Sequence, residues 1–331
     1  MQLATALAHP NIAFIKYWGN RDHALRIPQN GSISMNLSGL ETRTAVHFDP
    51  KLTADRFTLN GKAQTGPALA RVSAFLNHVR SLAGLSSFAQ VNSTNNFPLG
   101  AGIASSASAF AALALASSSA AGLNLSEHEL SCLARLGSGS AARSVPAGFV
   151  EWQPGTGHTD SYAFSIASPK HWEIQDLIVV VDALEKQTGS TEGHALAATS
   201  PLNPLRQAGL AERLKHCRQA ILAKDFCAFA EVVEADSNWM HAVMRTSTPP
   251  LYYWRPLTEV LLHYVAEWRS QGHALCATVD AGPNVHILAL QEEIPWLKAS
   301  LAGFEGIREL LLACPAEAAS LIETPTGFFY P

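Results

Sequence analysis

Asn96-Phe97-Pro98-Leu99-Gly100-Ala101-Gly102-Ile103-Ala104-Ser105-Ser106-Ala107-Ser108 is the stretch on which the fold turns. A polar run ending in Pro98 gives way to two glycines, then to an alanine-rich segment reaching Ala121. That order predicts a tight turn feeding the N-terminus of a long helix. Gly100 and Gly102 allow unusual dihedrals and a close approach of ligand to backbone. The first helical turn offers unpaired N–H groups at the positive end of a dipole, which suits phosphate. Ser105, Ser106 and Ser108 add hydroxyls that can donate to anionic oxygens or lie beside a metal. Pro98, Ala101 and Ala104 complete the candidate nucleotide loop. No Asp, Glu, Lys or Arg occurs between Arg80 and Glu127, so dipoles rather than charges would hold an anion here. The loop lacks the Gly-Lys-Ser/Thr ending of a Walker A motif. Ser105 also stands where a dinucleotide fingerprint needs its third glycine. Taken alone, the pattern equally fits a Gly-Ala-Ser helix start packed closely on a neighbour.

The rest of the chain sets bounds on this reading. Its 331 residues are enough for two domains, and 47% hydrophobic against 15% charged residues describes a well-buried globular protein. A net charge of −4 argues against non-specific nucleic-acid binding. Cys132, Cys217, Cys227, Cys276 and Cys314 are scattered and form no CxxC pair. That speaks against a disulfide scaffold or structural zinc, and for a reducing compartment. No signal-peptide pattern opens the chain, so a cytoplasmic location is expected. The charge-free stretch from Ala101 to Ala121 is too rich in Ala and Ser for a membrane span.

Before the loop the chain reads as strand-rich. In Ala8 to Asn20, Lys16 lies among Phe14, Ile15, Tyr17 and Trp18. Such a lysine either snorkels to solvent or is a fixed cation facing a polar cavity. Ser32 to Leu37 and Thr42 to Phe57 read as strands, and Asn60-Gly61 as a hairpin turn. Pro67 to Leu82 has helical spacing, with Val72, Phe75, Leu76 and Val79 on one face. Arg71 and Arg80 flank that face, and Arg80 is expected to be a solvated charge.

After the loop, Ser126 to Glu129 is a capping box starting another helix. Gly137 to Ser144 is a second glycine-serine turn, carrying Arg143. An arginine there can grip a carboxylate or phosphate with two parallel hydrogen bonds, or simply be solvated. Leu177 to Val181 reads as a buried strand, and Gln187 to Gly193 as a polar loop. Helices are expected over Leu205 to Ala223, Phe226 to Met244 and Tyr252 to Trp268. Ala274 to Asn284 is a strand entering a glycine-proline turn, with Asp280 at its end as a turn cap or a functional carboxylate. Arg308 to Glu323 is expected to add one more strand pair.

Pro10-Asn11-Ile12-Ala13-Phe14-Ile15-Lys16-Tyr17-Trp18-Gly19 closely resembles the opening signature of the diphosphomevalonate decarboxylases. Pro98 to Ala107, Gly137 to Arg143, Ser190-Thr191, Asp236-Ser237-Asn238 with His241, and Val279 to Asn284 follow in the family's order and at similar spacing. The resemblance covers nearly the whole chain. It implies the α+β fold of the GHMP small-molecule kinases, with a ribosomal-S5-like N-terminal domain joined to a C-terminal α/β sandwich domain. The boundary is expected near Leu184, dividing residues 1–184 from 185–331. It implies a cytoplasmic homodimer that uses ATP and Mg2+ on a small-molecule substrate, with no nucleic-acid or membrane partner. By the same resemblance, Asp280 deprotonates or orients the C3 hydroxyl of the substrate. Arg143 holds the substrate carboxylate, and Lys16 neutralises charge beside it. Ser106 and Ser105 touch the ATP phosphates and help place the metal. Tyr17, Trp18, Asn20, Arg71, Ser138, Ser140 and Thr191 belong to the substrate pocket.

Members that use the diphosphate normally carry lysine after the glycine at 19, and this chain has Asn20. His194 also replaces a usual methionine. Fewer cations near the distal phosphate point the expectation to mevalonate 5-phosphate, giving isopentenyl phosphate. The alternative keeps the 5-diphosphate, with isopentenyl diphosphate as product. Two other readings stay open: a GHMP kinase that stops at phosphorylation, and a non-catalytic RNA-binding or sensor protein.

Overall fold

The charge-free run forms the helix Ser105–Ala120, and it is buried on nearly every side. Its alanines let it lie close against the strands Ala4–Ala8 and Thr42–Asp49. Its inward serines satisfy themselves on the previous turn: Ser117 Oγ donates to Leu113 O at 2.5 Å and Ser118 Oγ to Leu115 O at 3.1 Å. The chain is seen in a computed structural model that describes residues 3–97, 105–182 and 189–324, without the side chains of 190 and 191. Pro98, Gly100, Ala101, Gly102 and Ala104 of the central loop, the side chain of Thr191, and the expected boundary at Leu184 therefore lie outside the described residues.

Three main sheets carry the fold. The first runs in the order Ser320–Ile322, Ala4–Ala8, Thr42–Asp49, Phe88–Asn95, Arg56–Leu59, Lys62–Gln64. Its strands are antiparallel except for Arg56–Leu59 on Phe88–Asn95. Asn60 and Gly61 close its hairpin with φ of 48° and 75°, the left-handed pair that a tight two-residue turn requires. The second sheet orders Tyr162–Ala167, Phe149–Gln153, Ser32–Asn36, Asn11–Ile15. The third orders Leu275–Thr278, Val285–Leu290, Ile174–Val180, Glu309–Ala313, all antiparallel. One apolar core joins the last two sheets. Ile12, Phe14, Ile33 and Phe149 meet Ile174, Ile178, Cys276 and Leu288, with Phe229 and Val233 of the helix Phe226–Arg245 between them.

Several local expectations hold. The helix Gly66–Ala83 buries Val72, Phe75, Leu76 and Val79. Ser126 and Glu129 form the reciprocal cap of the helix Glu127–Gly137. Others are corrected. Arg80 is not a solvated charge: its guanidinium makes a two-pronged bond to Asp55 at 2.9 and 3.0 Å. The expected helix from Leu205 is two, Asn203–Ala208 and Leu210–Ala223, broken at Gly209. The helix expected from Tyr252 begins at Pro256, where proline's fixed φ suits a first turn. Part of the polar loop after Gln187 is the helix Ser190–Leu196. The two last strands do not pair with each other. Glu309–Ala313 joins the third sheet, and Ser320–Ile322 returns to the first.

Candidate active site

Lys16 follows directly on the buried strand Asn11–Ile15 and is held by its backbone. Its N–H donates to Asp236 Oδ2 at 2.6 Å, and its carbonyl accepts from Arg206 Nη2 at 2.7 Å and Asn30 Nδ2 at 2.9 Å. Asp236 is itself bound by Arg213 Nε at 2.9 Å. The side chain does not snorkel. Only 1% exposed, it places Nζ 2.6 Å from Asp280 Oδ1.

Asp280 is reached from the strand Leu275–Thr278, and the residue before it is fixed by the helix that carries Asp236. Ser237 Oγ accepts from Val279 N at 3.2 Å, and His241 Nε2 lies 3.1 Å from Val279 O. Helix positions 236, 237 and 241 therefore secure both partners of the Lys16–Asp280 pair. Burial pushes the Asp280 carboxyl up, but the charges of Lys16, His286 and Arg143 outweigh it, and its pKa ends below the usual carboxylate value. The carboxylate remains 26% exposed, open to a ligand.

Arg143 sits in the short turn Gly139–Ser144, 3% exposed. Its Nη1 donates to Ser32 Oγ at 2.7 Å and its Nη2 to Asn11 Oδ1 at 3.0 Å. No carboxylate pairs with it among the described residues. Burial lowers its pKa to about 10 against the opposing pull of Asp280, so it is a cation at neutral pH. A buried cation without a counter-charge is costly unless an anion arrives. Asp280 and Arg143 thus lie close enough to act on each other electrostatically.

The serines bring the two glycine-serine segments together. Ser106 Oγ is 3.1 Å from Ser138 Oγ, and Ser138 Oγ is 3.5 Å from Ser140 Oγ. Tyr17 donates its hydroxyl to Asn20 Oδ1 and stacks on His194 with ring centres 4.1 Å apart. Burial pushes the Tyr17 hydroxyl up to about 12, so it stays a donor. His194 Nδ1 accepts from Gly19 N at 2.9 Å. Arg71, Ser105 and Ser106 line a cavity of about 200 Å³, together with Ser93, Asn95 and Phe110.

Two expected site residues stand differently. Ser108 is fully buried and turned into the sheet, bonded to Thr42 Oγ1 at 2.6 Å, because its place on the helix faces the strands. Trp18 is 2% exposed and belongs to an apolar cluster with Met240, Met244 and Leu251. Asn11, Ser32 and Arg206 also belong to the site, and no local pattern marks Ser32 or Arg206, because their partners lie far along the chain. A buried-type polar residue inside the apolar run at Asn11 was the available signal.

Comparison with known proteins gives the family. Residues 8–163 match the diphosphomevalonate decarboxylase-like N-terminal domain, and residues 176–310 match the mevalonate 5-diphosphate decarboxylase C-terminal domain. The diphosphomevalonate decarboxylase of Aspergillus fumigatus is 40% identical, over 88% of this chain and 77% of its own. The human diphosphomevalonate decarboxylase is 38% identical, over 98% and 90%. Among solved structures, mevalonate diphosphate decarboxylase from Staphylococcus aureus superimposes with a TM-score of 0.93 at 38% identity, covering 97% of this chain and 98% of that one. MDDEF in complex with MVAPP, AMPPCP and magnesium gives 0.92 at 37%, covering 97% and 99%. The architecture is the two-domain α+β GHMP fold.

Proposed function

The chain belongs to the diphosphomevalonate decarboxylase family, and from that premise we propose that it converts (R)-5-diphosphomevalonate and ATP to isopentenyl diphosphate, ADP, phosphate and CO2. This replaces the expectation of mevalonate 5-phosphate that Asn20 suggested. The named relatives are diphosphomevalonate decarboxylases, and one neighbour binds MVAPP with an ATP analogue. The observation that carries the chemistry is the buried Lys16–Asp280 contact at 2.6 Å, in the electrostatic reach of an unneutralised Arg143.

In this reading Arg143 binds the substrate carboxylate. Asp280 orients the tertiary C3 hydroxyl and takes its proton as the oxygen bonds to the terminal phosphorus and ADP departs. Such transfer needs chiefly positioning and charge stabilisation. The C3–O bond then breaks, with phosphate leaving with the bonding pair. The bond from C2 to the carboxylate breaks in turn, its electrons form the alkene, and CO2 is released. Asp280 passes the proton on to the phosphate oxygens and, again a carboxylate, stabilises the positive character that develops at C3. Lys16 keeps Asp280 anionic and in place. Ser105 and Ser106 receive the ATP phosphates, and Tyr17, Ser138, Ser140 and Arg71 receive the phosphorylated end of the substrate.

Mg2+ would be held by phosphate oxygens, water and a hydroxyl of Ser105 or Ser106. A hydroxyl oxygen beside phosphate is the kind of hard donor such an ion takes. When bound it neutralises phosphate charge. The reading also carries a homodimer, a cytoplasmic location and two domains meeting near residue 184. No helix among the described residues is long and apolar enough to cross a membrane.

The test is product analysis with 5-diphospho- and 5-phosphomevalonate, each with Mg-ATP. The expected result is a larger kcat/KM for the diphosphate, with CO2 and phosphate released in step with ADP. A preference for the monophosphate, or a stable phosphorylated acid without CO2, overturns the reading.

A further inference from the structure

Arg26 lies in the short hairpin between Asn20–Asp22 and Ile27–Pro28, with φ of 51°, a conformation that residues with side chains rarely adopt. Its half-buried side chain runs to the end of the helix Glu127–Gly137, where Nε donates to Leu136 O at 3.0 Å. The next carbonyl along, Gly137 O, accepts from Arg71 Nη2 at 2.8 Å. The next residue is Ser138, whose hydroxyl reaches Ser106. Residues 136, 137 and 138 thus gather two guanidiniums and two hydroxyls on one wall of the site.

Neither guanidinium has a carboxylate partner among the described residues. Among the described residues each guanidinium is seen to make one such bond, with Arg71 also lying 4.6 Å over the Phe110 ring, and a guanidinium carries five N–H donors with which to meet an anion. The two cations also act on each other. Burial, then the charge of Arg26, lowers the Arg71 pKa to about 10, and the Arg26 charge is felt at Tyr17 and His194 as well. Like charges placed together without a counter-ion are unfavourable, and a multiply charged anion between them reverses the sign. Asn20, on the same hairpin, brings no charge, and its Oδ1 is occupied by the Tyr17 hydroxyl.

We propose that Arg26, working beside Arg71, binds the terminal phosphate of the substrate's 5-diphosphate and so sets the preference for a diphosphate over a monophosphate. The inference rests on the diphosphate reading above. It gives the hairpin a recognition role: the left-handed turn aims a cation at the Ser138 wall, where Arg71 alone would meet only part of the charge.

The test compares wild type, Arg26→Met and Arg26→Lys with both phosphorylated substrates, and then with ATP varied. Arg26→Met is expected to raise KM for the diphosphate by about ten- to hundredfold, the worth of one charge-assisted hydrogen bond. Its kcat/KM for the monophosphate and its KM for ATP should change far less, and Arg26→Lys should recover part of the loss. If wild type prefers the diphosphate yet Arg26→Met leaves its KM unchanged, the role of Arg26 is overturned and the diphosphate reading survives. If wild type prefers the monophosphate, the diphosphate reading itself fails. A rise confined to the KM for ATP would assign Arg26 to the nucleotide and overturn the proposal. So would an equal loss with both substrates, a lowered melting temperature and no recovery by Arg26→Lys.

Discussion

A lysine 1% exposed and 2.6 Å from a carboxylate favours the charged form of its partner. Burial alone would favour the neutral acid at Asp280, and Lys16 leads the charges that reverse this. Asp280→Asn is expected to lower kcat by about two to three orders of magnitude. Calorimetry should still find both substrates bound within a few-fold of wild type, and near-normal turnover would remove Asp280 from the chemistry. Lys16→Met tests the electrostatics separately. The Asp280 carboxyl should then titrate at higher pH, because its burial would be opposed only by His286 and Arg143. The acid limb of kcat/KM, followed from about pH 4 to 8, should move upward as well as the rate falling. An acid limb that stays in place would mean that another group controls it.

At the scale of elements, the site depends on turns that leave no room for a side chain. A Cβ on Gly139 would lie 2.6 Å from the Tyr17 ring, so Gly139→Ala must displace Tyr17 from His194 and Asn20. We expect it to raise the KM of the phosphorylated substrate more than that of ATP, as measured by varying each in turn. Ser126→Ala removes the cap of the helix Glu127–Gly137 and should cost about 1 kcal/mol of stability with kcat unchanged, measured by urea denaturation. Elements set by local chemistry were legible from the residues: the cap at Ser126, the Asn60-Gly61 turn, and the apolar face of Gly66–Ala83. Elements set by distant partners were not. Arg80 looks solvated until the strand edge brings Asp55 to it, and Ser108 looks ligand-facing until Thr42 is found behind it. The site divides in the same way. Lys16, Arg143 and Asp280 were readable as residue types in motifs, but Asn11, Ser32, Arg206 and Arg26 act through contacts that only the fold creates.

At the scale of the whole molecule, the core shared by the second and third sheets fixes the strand leading to Lys16 relative to the strand leading to Asp280. The helix Phe226–Arg245 crosses between them, and its His241 is buried with a pKa lowered to about 3 by that burial. His194, lowered to about 3 chiefly by burial, behaves alike. Both bind protons more readily in the unfolded chain, whose value is 6.5. Their linkage therefore removes stability as pH falls below about 6.5, continuing towards about 3. The melting temperature should drop between about pH 7 and 5, and His241→Gln should show a shallower drop. An equally steep drop in that variant would place the acid sensitivity elsewhere. The first sheet adds a temporal constraint, because Thr5 pairs with Ile322 across it. While the polypeptide is being synthesised, the strand Ala4–Ala8 waits with one edge unsatisfied until residues 320–322 leave the ribosome. An unpaired strand edge of this kind is one onto which another strand can add, so the late arrival of residues 320–322 is what closes it.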